Sequence, residues 1–324
     1  MSQVTVVIPN YNGERFLREC LDCLLAQEAD TPAFDVLVVD NGSADKSLEI
    51  LRDYPQVRLE ALPENTGFCH AVNVGITLAE SEYVLLLNND TKVTSTFVKA
   101  LTEAIAAKPD AFSVSAKMPM WDKPELTDDA GDRYCVLGWA YSRGKGKPAE
   151  RYTQACKVFS ACGGAAIYRK EVFDKIGLFD ELHFAYLEDL DIGYRAQING
   201  YRNYYEPGAE VIHYGSASSG SRYNEWKTSL ASANSIYVVG KNMPLLQWIL
   251  NLPFLFAGFL IKYLFFLKKG YGKLYLQGLG KGFARLFSEE GRARKVRFRM
   301  RNLPNYIRIQ LYLYVDTLRF LKKS

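Results

Sequence analysis

The chain has 324 residues, 48% of them hydrophobic and 23% charged, with 40 Lys+Arg against 36 Asp+Glu. That length supplies one large domain or two ordinary ones with a sizeable core, and the composition excludes a disordered chain, a collagen-like repeat and a small disulfide scaffold. The net charge of +4 conceals a split, because 16 Lys+Arg and only 3 Asp+Glu lie from Lys262 onward, which points to a membrane or nucleic-acid contact made by one part of the chain.

Residues 4–8 (Val-Thr-Val-Val-Ile) form an apolar run ending at Pro9, and the stretch 16–25 follows with Leu17, Leu21, Leu24 and Leu25 on one helical face. Residues 36–39 read as a second buried strand, closed by Asp40-Asn41-Gly42-Ser43. A helix through Leu48 and Leu51, a strand at 57–60, a helix around 69–79 and a strand Tyr83–Leu87 continue the alternation. Strands that are apolar on both faces and alternate with helices predict an α/β fold, a mostly parallel sheet with helices on both sides. Ligands of such sheets sit at the carboxyl ends of the strands, where Pro9-Asn10-Tyr11-Asn12, Asp40-Asn41-Gly42-Ser43 and Asn88-Asn89-Asp90 cluster. Residues 119–155, rich in Gly, Pro and charge, read as a long ordered excursion or a mobile loop. From Cys162 the alternation resumes with a Gly-Gly turn, a strand at 165–168, a helix from Lys170, a helix at 187–198 stopped at Gly200, and a strand at 209–213.

Three constellations carry candidate chemistry, and each has a second reading. Asp90, on a turn after a buried strand, suits a divalent cation bridging a diphosphate; taken alone, a polar turn capping the next helix is the more ordinary reading. Glu188-Asp189-Leu190-Asp191 at a helix start can hold a general base within reach of a hydroxyl, or can simply answer the helix dipole. His213 at a strand end is a metal ligand or a hydrogen-bonded histidine. Gly163-Gly164 and Asn65-Thr66-Gly67-Phe68 are turns that let a ligand approach the backbone, although turn chemistry alone accounts for them. The six cysteines are scattered, and no secretory leader precedes Val4, so a reducing, cytosolic-side chain is expected. Cys20-x-x-Cys23 lies inside a helix with no second pair and reads as core. The chain has no Gly-x-x-x-x-Gly-Lys-Ser/Thr loop, no Gly-x-Ser-x-Gly elbow and no Gly-x-Gly-x-x-Gly opening the first helix.

The order of these motifs says more than any one of them. Val7-Ile8-Pro9-Asn10-Tyr11-Asn12, Val38-Val39-Asp40-Asn41-Gly42-Ser43, Asn65-Thr66-Gly67-Phe68 with Asn73 and Gly75, and Leu86-Leu87-Asn88-Asn89-Asp90 come first. Gly163-Gly164-Ala165-Ala166, Gly177-Leu178-Phe179-Asp180-Glu181, Tyr186-Leu187-Glu188-Asp189-Leu190-Asp191, Gly200-Tyr201 and Val211-Ile212-His213-Tyr214 complete the set. Together they resemble family 2 glycosyltransferases of the GT-A fold, and within them the bacterial rhamnosyltransferase-like branch that builds cell-surface polysaccharides. The resemblance implies a Rossmann-like catalytic domain over residues 1–225 and a C-terminal helical, basic, membrane-associating region over 226–324. It implies that Pro9, Tyr11 and Asp40 bind the nucleobase and ribose of a dTDP- or UDP-sugar donor, with Asn12, Asn65, Gly67, Asn73, Asn88, Asn89 and Gly164 completing that site. Asn88 and Asp90 stand in the family's Asp-x-Asp place, where many relatives have Asp at the first position. Asp90 and His213 would hold Mg²⁺ or Mn²⁺ under the diphosphate. Asp189 matches the general base and Glu188 the acceptor-orienting residue, with Asp191, Arg222 and Tyr223 as further acceptor contacts. The implied reaction is one displacement with inversion, moving rhamnose or a hexose to a polyprenyl-diphosphate-linked acceptor. A base at a helix start is expected to keep an ordinary carboxylate pKa, so that activity persists to mildly acidic pH.

The tail has its own pattern. Residues 245–261 carry no charge; as a helix they span about 25 Å, short of the roughly 30 Å hydrocarbon core. Asn251 and Pro253 are expected to interrupt the run, and a single crossing would leave the basic tail outside, against the positive-inside rule. An in-plane or re-entrant segment is expected instead. Ile307, Leu311, Tyr314, Leu318 and Leu321 then share a helical face, with Arg308, Arg319 and Lys322 turned away, as in helices that lie on anionic membranes. Packing on the catalytic domain, or on a second copy in a homo-oligomer, is the alternative, and both can hold at once. A sugar nucleotidyltransferase should show a Gly-rich basic loop near residues 8–20, where this chain has Asn-Tyr-Asn-Gly-Glu-Arg. The apolar interleaving of 245–267 favours membrane over nucleic acid as the tail's partner.

Overall fold

The computed structural model describes residues 2–215 and 224–322; the expected acceptor contacts Arg222 and Tyr223 lie outside the described residues. The first half alternates as the apolar pattern predicts: β1 (Val4–Asn10), α1 (Leu17–Leu25), β2 (Phe34–Asp40), α2 (Ser47–Leu51), β3 (Arg58–Ala61), α3 (Phe68–Leu78), β4 (Tyr83–Leu87), β5 (Thr91–Val93), α4 (Phe97–Ala106) and β6 (Ala111–Pro119). Val6 and Ile8 of β1 join a core with Leu17, Leu21 and Leu101, whereas Val7 joins Leu37, Val72 and Ile192 on the opposite face. Successive strand residues point to opposite faces, so an unbroken apolar run buries both faces and takes helices on each.

The chain continues through β7 (Thr127–Asp129), β8 (Asp132–Tyr134), β9 (Ala140–Ser142), β10 (Cys156–Val158), β11 (Ala165–Arg169), α5 (Lys170–Ile176), α6 (Glu188–Ile198) and β12 (Arg202–His213). The main sheet has the order β10-β12-β6-β11-β4-β1-β2-β3, with β5 on β12 and β7 on β6. Pairings β1–β2, β1–β4, β2–β3 and β6–β12 are parallel, while β11 is antiparallel to both β4 and β6. Residues 119–155 form an ordered excursion, with β7 laid on β6 and β8–β9 as a hairpin. β12 is longer than its apolar half at 209–213, because Arg202–Glu206 continue the ladder along β6 and a bulge before Glu210 absorbs Pro207 and Gly208. Polar residues with a Pro-Gly pair hid that half from an apolar-run criterion.

The C-terminal part is helical: α7 (Glu225–Asn242), α8 (Leu245–Lys268), α9 (Gly272–Phe287), α10 (Glu289–Ala293) and α11 (Leu303–Leu321). It shares a core with the sheet region, in which Tyr134, Phe159 and Tyr194 pack with Val238, Leu255, Tyr306, Ile309 and Leu313. α9 lies close on α7 through Gly278 and Gly282, where a Cβ would fall 1.8 Å from Ser232 Oγ and 2.4 Å from the Ala233 carbonyl.

One tail expectation is corrected. α8 is a single helix running through Asn251 and Pro253 to Lys268, long and apolar enough to span a bilayer. Asn251 does not break it because the side chain turns inward, fully buried, and exchanges two hydrogen bonds with Gln310 of α11 at 2.9 and 2.7 Å. α8 leans on the protein along its length: Gln247 accepts from Tyr194 Oη, and the Gly258 carbonyl accepts from Trp139 Nε1. On α11, Ile307, Leu311, Tyr314, Leu318 and Leu321 are exposed, while Tyr306, Ile309, Leu313 and Asp316 form the packed face.

Candidate active site

The carboxyl ends of β1, β2 and β4 meet at Asn10. Its Nδ2 donates to Asp40 Oδ1 at 2.8 Å and to Ser43 Oγ at 3.2 Å, and its Oδ1 accepts from Asn89 Nδ2 at 2.7 Å. Asp40 Oδ2 accepts from the Ser43 amide, and Asn12 Oδ1 from that of Ala44. Asn41 pins the next turn, since its Nδ2 reaches Asn65 Oδ1 and the Gly67 carbonyl while its Oδ1 accepts from Thr66. Gly67 has φ +91°, and a Cβ there would sit 2.6 Å from the Phe184 ring, so this position needs glycine on both counts. These bonds shape a wall on which Tyr11 is exposed and Pro9 half-buried.

At the end of β4, Asn88 is half-buried, and Gly164 lies flush beneath it, where a Cβ would press on Asn88 Nδ2. The register of β5 against β12 sets Thr91 opposite His213 and so carries His213 to Asp90. His213 Nε2 is 3.3 Å from Asp90 Oδ1, and its Nδ1 is 2.9 Å from Asp128 Oδ2. Burial opposes protonation of that imidazole, but the hydrogen bonds and charges of Asp128 and Asp90 outweigh it and raise the pKa to about 9. Asp128 is pulled down to about 2, because the His213 hydrogen bond and the Lys145 charge overcome its own burial. A carboxylate from the turn between β4 and β5 and an imidazole at the end of β12, oriented through its far nitrogen, are a donor set that fits a divalent cation once the cation displaces the imidazole proton.

The Gly163-Gly164 turn joins this corner to the start of α6. The Gly164 carbonyl accepts from the Asn88 amide at 2.8 Å, and the Gly163 amide faces Asp189 Oδ2 at 3.4 Å. Asp189 Oδ1 also accepts from the Leu190 amide at 2.7 Å. Contrary to the expectation from its helix position, burial raises the Asp189 pKa, and those backbone donors offset it only in part. Glu188 beside it is raised to about 8 by burial and by the Asp189 charge, and its Oε2 has no partner.

The segment leading to these carboxyls is strained. Phe184, Tyr186 and Leu187 have φ of 61°, 69° and 65°, a left-handed conformation that bulky residues rarely hold. Asn234 of α7 holds it, with Nδ2 donating to the carbonyls of His183, Ala185 and Tyr186 at 3.0, 2.9 and 2.7 Å. Beneath lies a charged cluster in which Lys241 Nζ bonds Asp180 Oδ2 at 2.6 Å and Asp191 Oδ2 at 2.8 Å. Arg195 and Asn242 also bond Asp191, and Arg294 and Tyr237 bond Asp180. Asp180, His183 and Asp191 offer ligand atoms within 4.8 Å of one another. The Lys241 ammonium already supplies the cation between both carboxylates, so this group does not fit a metal.

Several expected ligand contacts are therefore corrected. Asp191 is fully buried with both oxygens bonded inside the protein, and so does not face an acceptor. Asn73 is buried, spanning to the amide and carbonyl of Phe179 and to Glu181, and positions the 179–181 turn rather than a nucleotide. Asp40 and Asn89 are buried on Asn10 and shape the wall from behind. Asn65 and Asn12 hold their turns through their side-chain oxygens but stay exposed, so both remain open to a ligand. Sequence reasoning missed Asn10 as the hub, Asp128 behind His213, and Asn234 and Lys241 behind the acidic motif. Asp128 alone left a trace, as half of an Asp-Asp pair in the excursion.

This mixed sheet with its site at the strand ends is the GT-A fold. GalNAc-T7 solved with UDP, GalNAc and Mn²⁺ superposes with a TM-score of 0.61 at 17% identity, covering 74% of this chain and 48% of that one. Staphylococcus aureus TarS 1-349 in complex with UDP-GlcNAc gives 0.54 at 19% identity, covering 94% and 79%. In sequence, residues 5–177 match Glycosyl transferase family 2, and the chain belongs to that family. A curated relative, the N-acetylglucosaminyl-diphospho-decaprenol L-rhamnosyltransferase of Mycobacterium tuberculosis, is 30% identical over 242 residues, 65% of this chain and 75% of that protein.

Proposed function

We propose that this glycosyltransferase moves a sugar, rhamnose from dTDP-rhamnose in the first place, onto a lipid-linked diphosphate glycan in cell-surface polysaccharide synthesis. The observation that carries the reading is the Gly163-Gly164 turn, which ties Asn88, two residues before Asp90, to the Asp189 carboxylate. One short turn thus couples a diphosphate corner to a candidate base. Tyr11 and Pro9 offer the donor's base and ribose an open face, and Asn88 with Gly164 lines the approach to its diphosphate. Asp90 and His213 would hold Mn²⁺ or Mg²⁺, which when bound neutralises charge on a diphosphate leaving group.

Asp189 takes the proton of an acceptor hydroxyl as that oxygen bonds to the anomeric carbon. The bond from that carbon to the phosphate oxygen breaks, the nucleoside diphosphate leaves, and the configuration inverts. Glu188, holding its proton at neutral pH, places an uncharged donor beside the base. The lipid-linked acceptor is supported by the mycobacterial relative's name and by the tail: α8 lies along the protein with its other face apolar and exposed, suited to the cytoplasmic membrane surface. A UDP-hexose donor is the second reading, favoured by the TarS likeness. A panel of dTDP-rhamnose, UDP-glucose, UDP-GlcNAc and GDP-mannose with an N-acetylglucosaminyl-diphospho-lipid acceptor decides. Acceptor-dependent release of dTDP, lost in EDTA and restored by Mn²⁺, is expected; no release from any donor overturns the proposal.

A further inference from the structure

A cavity of about 320 Å³ lies among α7, α8 and α9, immediately behind the strained segment that leads to Glu188. Its lining includes Tyr186, Lys227, Thr228, Lys262, Phe265 and Tyr275. Three properties set it apart from a packing defect. First, Thr228 Oγ1 and Tyr275 Oη are buried without a hydrogen-bond partner, although Thr228 is 3% and Tyr275 1% exposed. Buried hydroxyls are normally satisfied, so two orphans on one cavity wall mark a missing acceptor. Second, the charge is of one sign. The lining carries Lys227 and Lys262 and no carboxylate, and among the described residues no carboxylate pairs with Lys262, whose Nζ lies 5.7 Å from the Trp139 ring centroid. Third, the cavity meets the apolar surface: Phe265 lines it and is also 41% exposed, beside the exposed Ile261 and Leu264 of α8.

An occupant that answers all three has an anionic head with several acceptor oxygens and an apolar chain leaving along α8. The volume is at the low end of the range of about 300–1,000 Å³ for ligand sites, room for a head group and the start of a chain. Tyr186 lines this cavity and stands two residues before Glu188, in the segment that Asn234 holds, so the cavity wall runs directly into the base. We infer that the cavity holds the prenyl diphosphate of the acceptor, with Lys227 and Lys262 on the diphosphate, Thr228 and Tyr275 donating to it, and Phe265 at the exit of the chain. This rests on the proposed transfer to a lipid-linked acceptor and assigns that acceptor's anchor a place distinct from the donor's strand-end site.

The test is titration calorimetry of the full chain in detergent with farnesyl diphosphate. Lys262→Gln should weaken binding about tenfold, the loss of one good ionic contact. Tyr275→Phe removes only an oxygen with no partner in the fold, so it should weaken binding about threefold while the melting temperature stays the same or rises. Farnesol and inorganic pyrophosphate should each bind far more weakly than farnesyl diphosphate. Equal binding by both variants, pyrophosphate binding as tightly as farnesyl diphosphate, displacement by UDP, or full displacement by phosphatidylglycerol vesicles would each overturn the assignment. Transfer kinetics separate this inference from the proposed function. Normal transfer with an unchanged acceptor KM in both variants sinks the cavity and leaves the function. Lys262-dependent farnesyl diphosphate binding by a chain that transfers from no donor sinks the function and leaves the cavity.

Discussion

Asp189 and Glu188 are adjacent carboxyls with unequal surroundings: Asp189 faces the backbone amides of Gly163 and Leu190, whereas Glu188 is buried with an unpartnered Oε2. Since a base must be ionised and burial raises Asp189, the acidic limb of kcat/KM should lie above the ordinary aspartate range near 3.9. A limb at or below that range would contradict the assignment. Glu188 also links pH to stability. Raised from 4.5 to about 8, it keeps in the folded chain a proton that the unfolded chain sheds, a contribution complete below about pH 4.5 and lost as pH rises through about 8. Glu188→Gln keeps a neutral group there, so its melting temperature should fall less than the wild type's between about pH 5 and 8; parallel curves would contradict the raised pKa. Asp90, His213 and Asp189 stand out in the sequence because their motifs follow one another in a recognisable order; the closeness of Asp90 to His213 and of Asp189 to the Gly163 turn is seen in the fold, and their roles are part of the proposal. Asp128 does not stand out, because only the pairing of β7 with β6 brings it to His213, and nothing local distinguishes it from other loop acids. Asp191 misled for the opposite reason: a third acid in a helical turn looks exposed until Lys241, 50 residues away, is seen to bury it.

The elements divide along the same line. Strands with unbroken apolar runs, β1, β2 and β4, stand where the sequence puts them, since burial on both faces leaves little choice. The excursion between β6 and β10, the polar half of β12 and the continuity of α8 depended on long-range partners and were misread or left open. The segment 183–187 is the sharpest case, because no propensity favours left-handed Phe184, Tyr186 and Leu187. Asn234, on a helix that the sequence assigns to the tail, holds three of its carbonyls. Asn234→Ala should cost about 1 kcal/mol for each lost hydrogen bond, lowering the melting temperature. It should also lower kcat by about tenfold or more with donor affinity little changed. Unaltered kcat at a reduced melting temperature would make Asn234 a stabilising residue only.

At the scale of the molecule, the small net charge joins an acidic sheet region to a basic helical one that share a core and a buried Asp180–Lys241–Asp191 cluster. The C-terminal helices are therefore part of the fold, since α7 braces the segment that leads to Glu188 and Asp189. α8 and α11, in contact through Phe254 and Tyr314, turn apolar side chains outward, and Lys268, Lys269, Lys273 and Lys281 are exposed nearby in sequence. The full chain should co-sediment with phosphatidylglycerol vesicles, less in high salt. Leu311→Glu with Leu318→Glu, both exposed, should reduce this about tenfold or more without lowering the melting temperature. Equal sedimentation of the variant would remove α11 from the membrane face. The central claim, that Asp189 is the base of a glycosyl transfer whose donor site lies at the ends of β1, β2 and β4, has one direct test: transfer and donor binding measured together in Asp189→Asn. Transfer should fall by about 10³-fold or more with donor affinity within a factor of about two. Retained transfer, or a donor affinity that collapses with it, would contradict the account.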